Sequence, residues 1–203
     1  MIEQEGFCYS DDYIPKHDGF YIKGYWNSEK FFAPYKNQII KDFTFPELDE
    51  QHNIVISDII ANENSVSLHV RRGDFVNNSM CGNICSENYY HNAIKYIQEN
   101  IESPSFYIFS NDIDWCRNNL SRYFKDSPVT YVTENVADKS YRDMQLMSLC
   151  KHNIVANSGF SWWGAYLNLN PNKIVLAPNR WWNSDDGHQK DVIPDEWIQL
   201  PIL

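Results

Sequence analysis

At 203 residues, with 43% hydrophobic and 15% aromatic side chains, the chain is long enough to close one core of ordinary domain size. Seventeen basic against 27 acidic residues leave a net charge of −10, which argues against a nucleic-acid footprint. No apolar run reaches membrane-spanning length and no basic-then-apolar leader opens the chain, so a cytoplasmic location is expected, with peripheral attachment at the inner membrane left open.

Residues 1–48 read as an irregular, aromatic-rich lead-in, densest at Phe20-Tyr21-Ile22-Lys23-Gly24-Tyr25-Trp26. Ser28-Glu29-Lys30-Phe31-Phe32 starts a predicted helix ending near Phe43. Residues 49–61 carry Ile54, Val55, Ile59 and Ile60 at helical spacing. Ser65-Val66-Ser67-Leu68-His69-Val70 alternates with period two and predicts a strand, and Arg71-Arg72-Gly73-Asp74 reads as the loop leaving its carboxyl end. Two guanidiniums there, with Gly73 allowing a close turn and Asp74 able to orient one fork, suit a diphosphate, because arginine matches phosphate oxygens in pairs. A solvated Arg-Asp pair at a surface strand end is the plainer alternative. The five cysteines, with no second pair or histidine at zinc-like spacing from Cys81 and Cys85, read as structural thiols of a reducing compartment.

Further along, Ser86 caps a predicted helix whose inner face is Tyr90, Ala93, Ile94, Ile97 and Ile101, and Pro104 closes the connection. Strands are predicted at 106–109, 129–132, 153–156 and, last, 173–176. Helices are predicted from Asp112 through Leu120, over 141–151 and over 160–167. This alternation implies a Rossmann-like parallel sheet with helices on both faces, an α/β fold occupying residues 49–203. The loops at residues 69–74, 110–114 and 157–161 should then meet on one rim of the sheet. Ser158 and Ser161 open a helix, where exposed amides suit a phosphate, although plain capping explains serines equally well. Ser140 and Asp143 have the spacing of a helix-start pair. Asp112-x-Asp114 resembles a divalent-metal clamp but is too short to be specific, and Asp112 also sits where a helix needs a cap. Arg72-Gly73-Asp74 matches an adhesion tripeptide by chance, without a framed loop.

His69-Val70-Arg71-Arg72-Gly73-Asp74, followed in order by Asn157-Ser158-Gly159-Phe160-Ser161-Trp162-Trp163-Gly164-Ala165-Tyr166-Leu167, resembles the α-1,2-fucosyltransferase family. The resemblance covers most of the chain from Gly24 to Trp181. It implies transfer of L-fucose from GDP-fucose to the 2-hydroxyl of a terminal galactose, with inversion and without a metal, on the donor-binding half of a GT-B glycosyltransferase. Family members begin with a glycine-rich loop and a further nucleotide-fold half; this chain has neither, so it resembles the carboxyl-terminal, donor-binding portion.

The resemblance assigns Arg71 and Arg72 to the diphosphate, Ser158 and Ser161 to the donor, and Asp143 to guanine, whose neighbouring N–H groups suit a carboxylate. His69 would shape the guanosine or phosphate pocket, and Asp74 is the nearest candidate for a general base, its other role being to anchor an arginine. Tyr25 and Trp26 would line the cleft; Trp162, Trp163, Tyr166 and Leu167 are expected to pack. No cofactor is expected beyond the donor substrate GDP-L-fucose, and the partner is a galactose-terminated oligosaccharide. Two rival readings are a non-catalytic GDP-sugar-binding remnant and a metal-dependent sugar-nucleotide transferase.

Overall fold

The lead-in forms little regular structure. Described over residues 1–183 and 189–202 in a computed structural model, it opens with a parallel pair of two-residue strands, β1 (Ile2–Glu3) and β2 (Ile22–Lys23). The single helix expected from Ser28 to Phe43 does not form. Ser28 caps a 3-10 turn, Glu29–Phe31; a second turn, Ala33–Tyr35, contains Pro34; and only Lys36–Asp42 is α-helical (α1). Proline has no N–H to donate and disfavours the helical conformation in the residue before it, so one continuous helix cannot run through position 34.

From α2 (Gln51–Asn62) onward strands and helices alternate: β3 (Asn64–Val70), α3 (Glu87–Asn100), β4 (Pro104–Ser110), α4 (Ile113–Leu120), β5 (Val129–Val132) and α5 (Tyr141–Leu149). They continue as β6 (His152–Ile154), α6 (Gly159–Tyr166), β7 (Val175–Pro178) and β8 (Ile198–Leu200). The six strands β3 to β8 form one all-parallel sheet in the order β5-β4-β3-β6-β7-β8. Pro104 begins β4 rather than closing the preceding connection, where its missing N–H is tolerated. A strand follows the one expected to be last, because Ile198–Leu200 pairs with β7 on the edge of the sheet.

The alternation in β3 separates two buried faces rather than core from solvent. Val66, Leu68 and Val70 are fully buried against Tyr90, Ala93, Ile94 and Ile97 of α3. Each such side chain contributes roughly 1.5–3 kcal/mol of burial. Ser65, Ser67 and His69 point the other way and are also buried. Burying serine there requires partners: the Ser65 hydroxyl donates to Ile60 O at 2.9 Å, and Ser67 Oγ accepts from Asn153 Nδ2 at 2.7 Å. On that face α5 packs on α6 and α2. Cys81, Cys85, Cys116 and Cys150 are free thiols, with the last two buried.

The chain steps outward from β3 through β4 to β5, then crosses back to lay β6 against the other side of β3. The strand order therefore reverses between β3 and β6, and the crevice at the carboxyl ends of those two strands is where such sheets bind ligands.

Candidate functional site

At that reversal the loop after β3 is held by the loop after β4. Arg72 N–H donates to Asn111 Oδ1 at 2.9 Å, and Arg72 Nε donates to Asp112 Oδ2 at 3.0 Å. The Arg72 guanidinium also lies 4.4 Å from the centre of the Trp115 ring. Gly73 has φ of +39°, and a β-carbon there would collide with the Asn111 amide, so the turn requires glycine twice over. Arg71 donates through Nη2 to Asp74 at 2.9 Å and stands over Phe75, 5.4 Å from its ring centre. Asp74 thus orients an arginine. Asp112 accepts from Arg72 and from the amide of Trp115 at 3.1 Å, capping α4, and no group of acids, cysteines or histidines able to hold a metal occurs among the described residues.

Both arginines line one hollow of about 240 Å³ together with Trp115, Ser86 and Asn157. A second hollow of about 430 Å³ adjoins it and shares Phe75, Cys81 and Asn157 as its wall. Ser158 and Gly159 line that second hollow at the start of α6, where Ser158 Oγ accepts from Phe160 N–H at 3.3 Å. Ser161 lines neither. It is buried, and its hydroxyl oxygen accepts from Ala156 N–H at 3.2 Å, securing the turn after β6.

His69 is 5% exposed, and its Nδ1, like Arg71 Nε, is buried without a hydrogen-bond partner among the described residues. Burial, reinforced by the Arg71 charge, lowers the imidazole to about 3, so it is neutral at physiological pH. Asp143 lies away from both hollows. The amide of Asn135 donates to its Oδ1 at 2.8 Å, and Asn135 is itself held by His52 at 3.2 Å and by reciprocal bonds with Asn53. The capping role read from Ser140 is absent: its backbone is helical and its side chain makes no cap bond.

Burial raises the Asp143 carboxyl to about 6 despite the opposing bond from Asn135. A raised acid binds its proton more tightly in the folded state, so stability falls as pH rises from about 4 to about 6. Asp143→Asn is therefore expected to add on the order of 1–2 kcal/mol at pH 8, discounted for partial exposure, and almost nothing at pH 4. Urea denaturation at both pH values checks this; equal effects at the two would remove the carboxylate as the cause.

Sequence reading left Asn157 without a role, although it lies within a quoted motif. Its amide donates to Cys81 O at 3.0 Å and Trp181 O at 3.1 Å, and its Oδ1 accepts from Cys85 Sγ at 3.4 Å, tying three segments around the seam between the hollows. The Cys85 thiol is pushed up to about 12 by burial, so it serves as a packed donor rather than a nucleophile. Tyr25 and Trp26 do line the larger hollow; Trp162 and Trp163, read as packing, line it too.

A fully parallel six-stranded sheet flanked by helices, its strand order reversing between β3 and β6, defines an α/β protein of the Rossmann-like class. The chain belongs to glycosyl transferase family 11, whose model matches residues 7–201. It is 36% identical over 184 residues to an alpha-1,2-colitosyltransferase of Escherichia coli, covering 87% of this chain and 61% of that protein. It is 34% identical over 191 residues to the O-antigen biosynthesis glycosyltransferase WbnK of the same organism, covering 90% and 61%. Human galactoside alpha-(1,2)-fucosyltransferase 1 is 27% identical over 169 residues, covering 78% of this chain and 46% of the human protein. The chain thus spans about three fifths of the length of the two bacterial relatives. No helix among the described residues is long and apolar enough to cross a membrane.

Proposed function

We propose that this chain binds GDP-L-fucose and transfers the fucosyl group, with inversion, to the 2-hydroxyl of a terminal galactose, without a metal. The observation that carries the reading is the shared wall at the β3–β6 switch point, where two arginines face one hollow and the Ser158 helix start faces the next. Arg71 lines the smaller hollow and its Nε is buried without a partner among the described residues, whereas the similarly unpartnered His69 Nδ1 lines neither hollow.

In the transfer, the acceptor oxygen bonds to the anomeric carbon as the bond from that carbon to the β-phosphate oxygen breaks, and the hydroxyl proton leaves to a base. Negative charge builds on GDP, and the guanidiniums of Arg71 and Arg72 stabilise it in place of a cation. Asp112 reinforces this arrangement by holding Arg72 in place. His69, neutral and with its basicity depressed, donates or accepts a hydrogen bond and takes no proton at neutral pH. Ser158 lies at the positive end of the α6 dipole, which favours phosphate, and Ser161 keeps that turn in shape. Asp143, held through Oδ1 by Asn135 away from both hollows, keeps its guanine role only on the strength of the family resemblance.

Calorimetry with GDP in excess EDTA, then a radiolabelled transfer assay on lactose, tests the reading. Binding and product in the chelator are expected. Loss of binding in EDTA would replace it with a metal-dependent transferase, and binding without product would favour a non-catalytic remnant. The bacterial relative named for colitosyl transfer motivates a second donor, so nucleotide-linked colitose belongs in the same assay.

A further inference from the structure

A third hollow, of about 390 Å³, opens on the opposite rim of the sheet, where α6 ends and β7 begins. Its size is that of a small-molecule site. Tyr166, Lys173 and Glu196 line it, Lys36 of α1 stands at one side, and Leu169 and Trp197 give it an apolar part. The eight residues of α6 place it about 12 Å along the helix from the Ser158 turn, clear of the arginine hollow.

Its charges are of both signs and do not satisfy one another. Lys173 Nζ donates to Ala165 O at 2.7 Å and to Asn168 O at 2.9 Å, which secures the carboxyl end of α6 and leaves its third N–H unspent. Lys36 Nζ stands 5.3 Å from the centre of the Tyr166 ring, and neither Lys36 nor Glu196 forms a close ion pair with any described residue. Tyr166 is 3% exposed, yet its buried hydroxyl makes no hydrogen bond of normal geometry to any described residue. Burial and the neighbouring Glu29 carboxylate push that hydroxyl up to about 12, so it stays protonated and able to donate. Buried polar groups normally have partners, and an unspent donor facing a hollow points to a ligand. Burial, reinforced by the Lys36 charge, lowers the Lys173 ammonium to about 8, so a negative group at the two lysines relieves an unfavourable pair.

We propose that this hollow binds the zwitterion of an α-amino acid with an apolar side chain. Its carboxylate takes the Lys36 ammonium, the third Lys173 N–H and the Tyr166 hydroxyl. Its ammonium meets the Glu196 carboxylate, and its side chain covers Trp197 and Leu169, the latter 70% exposed. A simple anion leaves the acid unanswered, and a simple amine leaves both lysines so. A ligand carrying both charges satisfies the set and adds no net charge to a chain already at −10. The proposal stands independently of the glycosyl-transfer reading.

Calorimetry and saturation-transfer NMR on the full chain with L-leucine test it, beside N-acetyl-L-leucine, which lacks the ammonium, and L-leucinamide, which lacks the carboxylate. L-leucine is expected to bind, and each analogue about tenfold more weakly, the loss of one charge-assisted contact. Glu196→Gln should weaken L-leucine about tenfold and leave N-acetyl-L-leucine unchanged. Tyr166→Phe, which removes only the hydroxyl, should weaken L-leucine several-fold and leave L-leucinamide unchanged. Absence of saturable L-leucine binding overturns the proposal. So does N-acetyl-L-leucine binding as tightly as L-leucine, which would reduce the hollow to an anion pocket. Wild-type affinity for L-leucine in both variants, each shown by circular dichroism to be folded, also overturns it by placing the bound amino acid elsewhere.

Discussion

Arg72→Ala is expected to weaken GDP binding about 100-fold, because a charge-assisted bidentate pair with phosphate contributes roughly 2–3 kcal/mol. The fold should survive. Arg72 is partly exposed, and Asp112 keeps its capping bond to Trp115 when the arginine is gone. Its Nε is already committed to Asp112, so the outer edge of the fork is what faces a ligand. Lysine at this position should recover only part of the affinity, since a single ammonium cannot reproduce the fork or its stacking on Trp115. Calorimetry on a variant shown by circular dichroism to be folded decides it: unchanged affinity removes Arg72 from the diphosphate site.

A stability effect of similar size is expected from Arg142→Ala, about 2–3 kcal/mol, because the packing of its buried stem and the donors it supplies to Pro46 O and to the buried Gln145 are lost together. Arg142 is 2% exposed on α5 and reaches across to the stretch that leads into α2. It donates to Pro46 O at 2.9 Å, to Gln145 Oε1 at 2.8 Å and to Asp49 Oδ1 at 2.6 Å, and pairs with Glu50 at 3.0 Å. Without it the chain before α2 loses its attachment to α5. Arg142→Met should lose less, since the stem's packing is kept while the bonds are not. A midpoint in urea within experimental error of wild type would show that the exposed partners had been solvated without cost.

These two arginine effects differ in how visible they are from sequence. Arg71-Arg72-Gly73-Asp74 sits at the end of a strand with clear period-two spacing, and local periodicity is written directly in the chain. Arg142 has no such flag. Its partners lie some 90 positions earlier, and only the packing of α5 beside α2 brings them together. Asp143 illustrates the same limit. Its spacing from Ser140 suggested a cap, yet its side chain bonds to Asn135, which Asn53 of a distant helix holds. The helix expected through Pro34 does not form because proline lacks the N–H an uninterrupted helix needs there, a local constraint that apolar spacing does not carry.

Taken alone, the sequence determined the parallel α/β sheet, the strand ending in two arginines and the serine-led helix start, because each depends on residues close together in the chain. Tertiary structure decided what those pieces face. It showed that β6 returns beside β3, that Asn111 and Asp112 brace the arginine loop, and that Asn157 stands between a charged hollow and an aromatic one. The lead-in's aromatic residues acquired a place only when Phe7 stacked on Trp182 and Phe32 on Trp163 across more than a hundred residues. Non-directional apolar attraction says that such residues will be covered, but not by which part of the chain, and that choice is made by the whole fold at once.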